Sequence, residues 1–172
     1  MMSEADALYG TDFEPYFKKL DLIYPHFIGV VSIDQIPPRF PEKHFLIVNL
    51  SPAGTPGSHW IVIIRSHKSL IEIFNSLGFE NLDLIKSHLK FRFTAEIQFN
   101  NTTVQLPTSS SCGLYCIYFA VHRVLNFDQG FEETMADYFT ENLTSNENKV
   151  ALFCKHLKEL KSGSDESFLF DL

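Results

Sequence analysis

The sequence predicts an α+β fold in a single domain, with a mixed or antiparallel central sheet flanked by helices. Three observations predict it. Apolar strand-like runs follow one another closely at residues 44–50, 59–65 and 69–75. A mostly apolar helical stretch at 108–125 is entered through a run of Ser and Thr, residues that favour helix starts. Two amphipathic helical patterns then fill 131–143 and 145–160. Helix, strands, helix, strand and three further helices is the order of an α+β domain.

Taken in order, residues 3–20 hold a short helical pattern, with Thr11 as cap and Phe13, Tyr16, Phe17 and Leu20 on one face. The Pro-rich "IPPRFPEK" at 36–43 must be loop, because Pro removes a backbone donor and blocks both helix interior and central strand. "HFLIVNL" and "HWIVIIR" flank the turn-rich "SPAGTPGS", and "SLIEIFN" follows after three residues. Such short links favour antiparallel hairpins, and continuous apolar runs favour a buried sheet. "NLDLIKSHLK" at 81–90 reads as a helix capped by Asn81, and "FTAEIQF" at 93–99 as a further strand. The 108–125 helix carries apolar side chains on almost every face, so it belongs in the core. The last ten or so residues lack periodicity and read as a tail.

The 172 residues suit one domain, residues 1–172, and 17 Phe supply large buried area for a dense core. A net charge of -7 with no basic run argues against binding DNA, which needs Lys and Arg facing phosphates. Three cysteines do not make a disulfide framework. With no signal peptide and no apolar run of the ~18 residues a span needs, the expectation is an intracellular, reduced monomer with no membrane segment. Metal and phosphate chemistry find no support. Cys112 and Cys116 lack a second ligand pair, and "GTPGS" lacks the Lys of a phosphate loop. No cofactor is expected.

Candidate chemistry starts at Cys112. It falls in the first turn of the apolar helix, where free N–H groups and the helix dipole favour a thiolate. Gly113 beside it leaves room for a substrate backbone. Cys116 and Cys154 sit where a small buried hydrophobe belongs. Of seven His, His122 is ten residues along the same helix, roughly 15 Å away at 1.5 Å per residue, too far to act on Cys112. His59 opens a strand after a Gly-Ser turn and precedes Trp60, the only Trp. That rim position can hold an imidazole rigidly, with Ser58 and Trp60 as cleft-lining, substrate-binding candidates. On an antiparallel neighbour, Asn75 comes level with His59, and its amide oxygen can accept the ring N–H. Gln105 lies seven residues before Cys112 and can aim a side-chain amide at a developing oxyanion. Ordinary core packing for His59 and a turn or cap role for Asn75 are the bland alternatives.

In that order, "GSHW", "EIFNSLG" and "QLPTSSSCGLYC" resemble the three motif blocks of the adenovirus cysteine protease (adenain) family. That family falls within a wider group of ubiquitin-like-protein proteases. A Gln-to-Cys spacing of seven is similar to the adenain branch. The likeness runs over roughly residues 25–160. It implies a papain-like arrangement with Cys112 as nucleophile, His59 as base, Asn75 as third member and Gln105 in the oxyanion hole. It further implies cleavage of viral precursor proteins after Gly-containing motifs, inside virions or in the nucleus or viral factory of a host cell. A virus or virus-derived element is the implied source.

Three departures accompany the resemblance. Adenain has Glu where this chain has Asn75. Its activating peptide is disulfide-linked to a Cys upstream of the Gln, whereas "KFRFTAEIQFNN" contains none, which leaves a non-covalent activating peptide or no activator at all. Adenain is basic and uses DNA, unlike a chain at -7. An isopeptidase acting on ubiquitin- or SUMO-like modifiers, and a catalytically silent scaffold of the same fold, are the alternative readings.

Overall fold

The computed structural model describes residues 7–78, 81–89 and 95–170. Five strands form one sheet in the order β1-β2-β3-β4-β5: Phe27–Ser32, His44–Asn49, Trp60–His67, Leu70–Phe74 and Glu96–Phe99. The β2–β3 and β3–β4 pairs are antiparallel, while β1–β2 and β4–β5 are parallel, so the sheet is mixed. Strand alternation sorts the core into two layers. Phe45, Ile47, Val62, Ile64 and Phe74 face one side, and Leu46, Val48, Ile61, Ile63, Ile71 and Ile73 face the other.

The first layer is covered by α1 (Phe13–Phe17), α3 (Cys112–Leu125), α4 (Phe131–Tyr138) and α5 (Leu143–Glu159). Twelve of the fourteen residues of α3 are buried, which is why its sequence is apolar nearly all round. Phe119 stacks on Phe74 of the sheet at 4.2 Å and 6°. The second layer is closed by α2 (Leu82–Leu89) and by Ile33, Ile36 and Phe40 from the loop before β2.

Four differences from the sequence reading have physical reasons. Of the pattern expected over 3–20, positions 3–6 lie outside the described residues, and the described part makes a 3-10 turn (Gly10–Asp12) and a five-residue helix. Asp12, not Thr11, organises its start by accepting the Tyr9 N–H at 2.6 Å. Residues 27–32, not read as a strand, form β1 at the sheet edge, where Gly29 accompanies a break in register. The Ser and Thr run before Cys112 stays outside α3, and α4 stops at Tyr138. The C-terminal segment is not wholly a tail, since Ser167–Phe170 forms a 3-10 turn that buries Leu169 in the first core layer. Positions 93–94 of the strand expected at 93–99 lie outside the described residues.

Candidate active site

His59 sits immediately before β3, with its carbonyl accepting the Leu50 N–H at 3.0 Å. The preceding loop is pinned by Asn49, whose Oδ1 accepts the N–H groups of Ser51 (2.9 Å) and Ser58 (3.3 Å). The His59 ring is buried, and its Nε2 lies 2.8 Å from Oδ1 of Asn75. That oxygen also accepts the Leu77 N–H at 3.0 Å, so it is the oxygen and not the amide nitrogen of Asn75 that faces the ring. The neutral imidazole must then carry its proton on Nε2 and its lone pair on Nδ1.

Asn75 is held in turn by Asn100. Its N–H donates to Asn100 Oδ1 at 2.9 Å, and Asn100 Nδ2 donates back to the Asn75 carbonyl at 2.6 Å. Gln105 is buried and equally well fixed. Ser76 Oγ donates to its Oε1 at 2.6 Å, and its Nε2 donates to the Ser109 carbonyl at 2.8 Å. A hydroxyl on one side and a carbonyl on the other allow only one orientation of the amide. The amide nitrogen keeps a second N–H beyond the one given to Ser109.

Cys112 is the first residue of α3 and is partly exposed. Burial raises its thiol pKa, while the backbone N–H groups of Trp60, Gly113 and Cys112 itself act in the opposite direction. The helix N-terminus was expected to favour a thiolate; desolvation outweighs it here. The Trp60 amide belongs to the residue after His59, so the sulfur sits against the strand end that bears the imidazole. The other two thiols are fully buried and pushed further up by burial, which leaves them inert.

One open cleft of about 730 Å³ is lined by Ser58, His59, Trp60, Gln105 and Cys112, together with Asn49, Gly57 and residues 7–10. Trp60 walls it, with its indole N–H donating to the Leu8 carbonyl at 2.9 Å and its ring edge-on to Phe13 at 4.9 Å. Gly113 does not line the cleft, contrary to its expected role beside the substrate. It is buried, and a Cβ there would meet the Leu8 side chain at 3.0 Å, so its missing side chain serves packing of the N-terminal segment.

The sequence reading missed a set of residues that hold these groups from behind. Asn100 and Asn49 are two. Asn146 of α5 donates to the Val104 carbonyl at 3.0 Å and to the Thr140 carbonyl at 2.8 Å. Glu147, next to it, accepts the Leu106 N–H at 3.1 Å on one oxygen and the Ser111 hydroxyl at 2.9 Å on the other. A signal for none of them exists in local sequence. Among the described residues no group of three His, Cys, Asp or Glu is placed to hold a metal ion, and no helix is long and apolar enough to cross a membrane.

No protein-family model matches the chain. It is 28% identical over 114 residues to the protease of bovine adenovirus 7, a match covering 58% of this chain and 51% of that protein. It is 30% identical over 121 residues to the protease of bovine adenovirus C serotype 10, covering 60% of each. The matches thus span about half to three fifths of these relatives. In fold it is similar to the central domain of the uncharacterized Lpg1148 protein from Legionella pneumophila, with a TM-score of 0.51 at 14% identity over 91% of this chain and 99% of that one. By sequence, then, the chain is a relative of the adenovirus proteases.

Proposed function

We propose that the chain is a cysteine endopeptidase that cleaves viral or virus-derived precursor proteins after Gly-containing motifs. The observation that carries the reading is the shared cleft. A tautomer-fixed His59, an orientation-fixed Gln105 amide and the partly exposed thiol of Cys112 all line it. The sequence relationship to proteases of adenoviruses supports the same chemistry.

In this mechanism His59 Nδ1 takes the proton of the Cys112 thiol as sulfur attacks the scissile carbonyl carbon. A base is needed because burial holds the thiol above its ordinary pKa. The oxyanion that forms is met by the remaining N–H of Gln105 and by the backbone N–H of Cys112, a first-turn amide with no partner further back in its helix. The imidazolium, held by Asn75, gives its proton to the leaving amine. Water activated by the same imidazole then hydrolyses the thioester. Trp60 and Ser58 contact the substrate, and a slot walled by Trp60 suits residues as small as Gly. Substrates are proposed to be precursors in assembling particles, met by a monomer that needs no covalently attached activator.

The test is incubation of the protein and of Cys112→Ala with Gly-containing precursor peptides, followed by mapping of new N-termini. Cleavage by the parent and none by the folded variant is expected. Equal cleavage by both would overturn the reading. Rapid reaction with a ubiquitin- or SUMO-type activity probe, without peptide cleavage, would instead mark an isopeptidase.

A further inference from the structure

We propose that Glu147 is a positioning residue that holds the proposed oxyanion donor and the proposed nucleophile at a fixed separation. The inference rests on the reading of Gln105 and Cys112 given above. The two residues are joined by the loop 106–111, which has no regular secondary structure of its own and so needs an external brace. Glu147 supplies it. Its Oε1 accepts the N–H of Leu106, the residue after Gln105, at 3.1 Å. Its Oε2 faces the hydroxyls of Ser111, the residue before Cys112, at 2.9 Å and of Ser109 at 3.2 Å, and the two hydroxyl protons are shared between this oxygen and the contact of the two hydroxyls with each other. One rigid planar group thus grips both ends of the loop.

Three features separate this from ordinary surface capping. Glu147 is 4% exposed, so its charge is desolvated. Among the described residues the ion pairs are Lys18–Glu14 and Arg123–Glu72, so no cation pairs directly with Glu147 and its hydrogen-bond donors are neutral. The grip is also closed on itself, because the hydroxyls of Ser109 and Ser111 are hydrogen-bonded to each other and Ser109 Oγ accepts the Ser111 N–H at 3.2 Å. Ser109 is the residue whose carbonyl fixes the Gln105 amide. Glu147 therefore reaches Gln105 by two routes, through Leu106 and through Ser109. A buried charge is a poor choice for stability alone, since an apolar residue of similar volume is often neutral or better. A carboxylate bonded to both ends of the loop does supply a fixed separation between the amide and the sulfur.

The experiment compares Glu147→Gln, Glu147→Leu and Ser111→Ala with the parent chain. It reads kcat, KM, affinity for a peptide aldehyde and the urea midpoint. An aldehyde adds to the thiol to give a tetrahedral hemithioacetal, so its binding reports the oxyanion hole directly. In Glu147→Leu, kcat should fall by roughly 10²-fold, the scale of a ~1 Å misplacement, with KM little changed and aldehyde affinity falling in parallel. Glu147→Gln keeps one acceptor oxygen and should recover part of the loss. Ser111→Ala breaks a single bond, and it keeps the test alive if Glu147→Leu fails to fold. Variants that keep parent kcat and aldehyde affinity would overturn the proposal, and so would a loss that merely tracks the urea midpoint. If the parent's cleavage survives Cys112→Ala, the function itself has failed, and that result is distinct from either.

Discussion

Nε2 of His59 and Oδ1 of Asn75 lie 2.8 Å apart in a buried setting, and the same oxygen accepts the Leu77 N–H. An amide so fixed orients the ring without adding charge. Asn75→Asp would put a carboxylate against the ring N–H, and an adjacent negative charge favours the imidazolium. Because His59 must be unprotonated to take the thiol proton, the acid limb of the pH profile of kcat/KM should therefore move to higher pH. Asn75→Ala should instead lower kcat by roughly 10²-fold, the scale of acid-base assistance. A profile unmoved by Asp would show that the amide does not tune the ring.

Gly78 lies in the left-handed region at φ +70, and a Cβ there would meet the backbone of Thr102 and Thr103 at 3.0 Å. Its N–H closes a turn onto the Asn75 carbonyl at 2.9 Å, while the Ser76 carbonyl accepts the N–H groups of Val104 and Gln105. This turn ties Asn75 to the strand of loop that delivers Gln105. Gly78→Ala should cost about 1–3 kcal/mol from backbone strain, read from the urea midpoint. It should also lower kcat more than a surface variant of equal stability cost does.

Much of this arrangement follows from patterns a sequence can carry. Strand alternation in β2, β3 and β4 and the all-round apolar α3 were readable because burial on two faces leaves continuous apolar runs. Asn75 falls beside His59 because a short hairpin fixes register, with Val62 opposite Phe74. The braces were not readable. Glu147 meets Ser111 across 36 residues and Asn100 meets Asn75 across 25. A buried acceptor on an amphipathic helix looks, in sequence, the same as a solvated one. β1 was missed for a related reason. It is a partly buried edge strand pairing in parallel with β2, and the link between them contains no helix longer than a 3-10 turn to announce the crossover.

Arg123 of α3 and Glu72 of β4 form a buried bidentate pair, Nε to Oε2 and Nη2 to Oε1, each at 2.8 Å. Arg123 also donates to the Asn126 carbonyl at 2.6 Å. Glu72 falls on the helix-facing side of the sheet, where the alternation otherwise places apolar residues. Arg123→Met leaves an uncompensated buried carboxylate and should cost about 3–5 kcal/mol. The double variant Glu72→Leu with Arg123→Met should regain most of that. Chemical denaturation of the two singles and the double checks it; additive losses would mean that the pair does not act as a unit.

His122 provides an acid-sensitive point remote from the cleft. It is fully buried in α3, stacked on Tyr138 at 4.0 Å and edge-on to Tyr118 at 4.4 Å. Neither ring nitrogen has a hydrogen-bond partner. Burial, with a smaller contribution from the charge of Lys149, pushes its pKa from 6.5 down to about 3. Below about pH 6.5 the unfolded chain binds a proton at this ring, while the folded chain refuses it until about pH 3. The stability from a neutral His122 is thus complete above pH 6.5 and drains as pH falls toward 3, by up to about 1.4 kcal/mol per pH unit. His122→Phe keeps the aromatic stack and removes the titrating group. Urea midpoints measured from pH 7 to pH 4 should fall less steeply in the variant than in the parent. If the two fall in parallel, the acid sensitivity lies with the carboxylates and not with this ring.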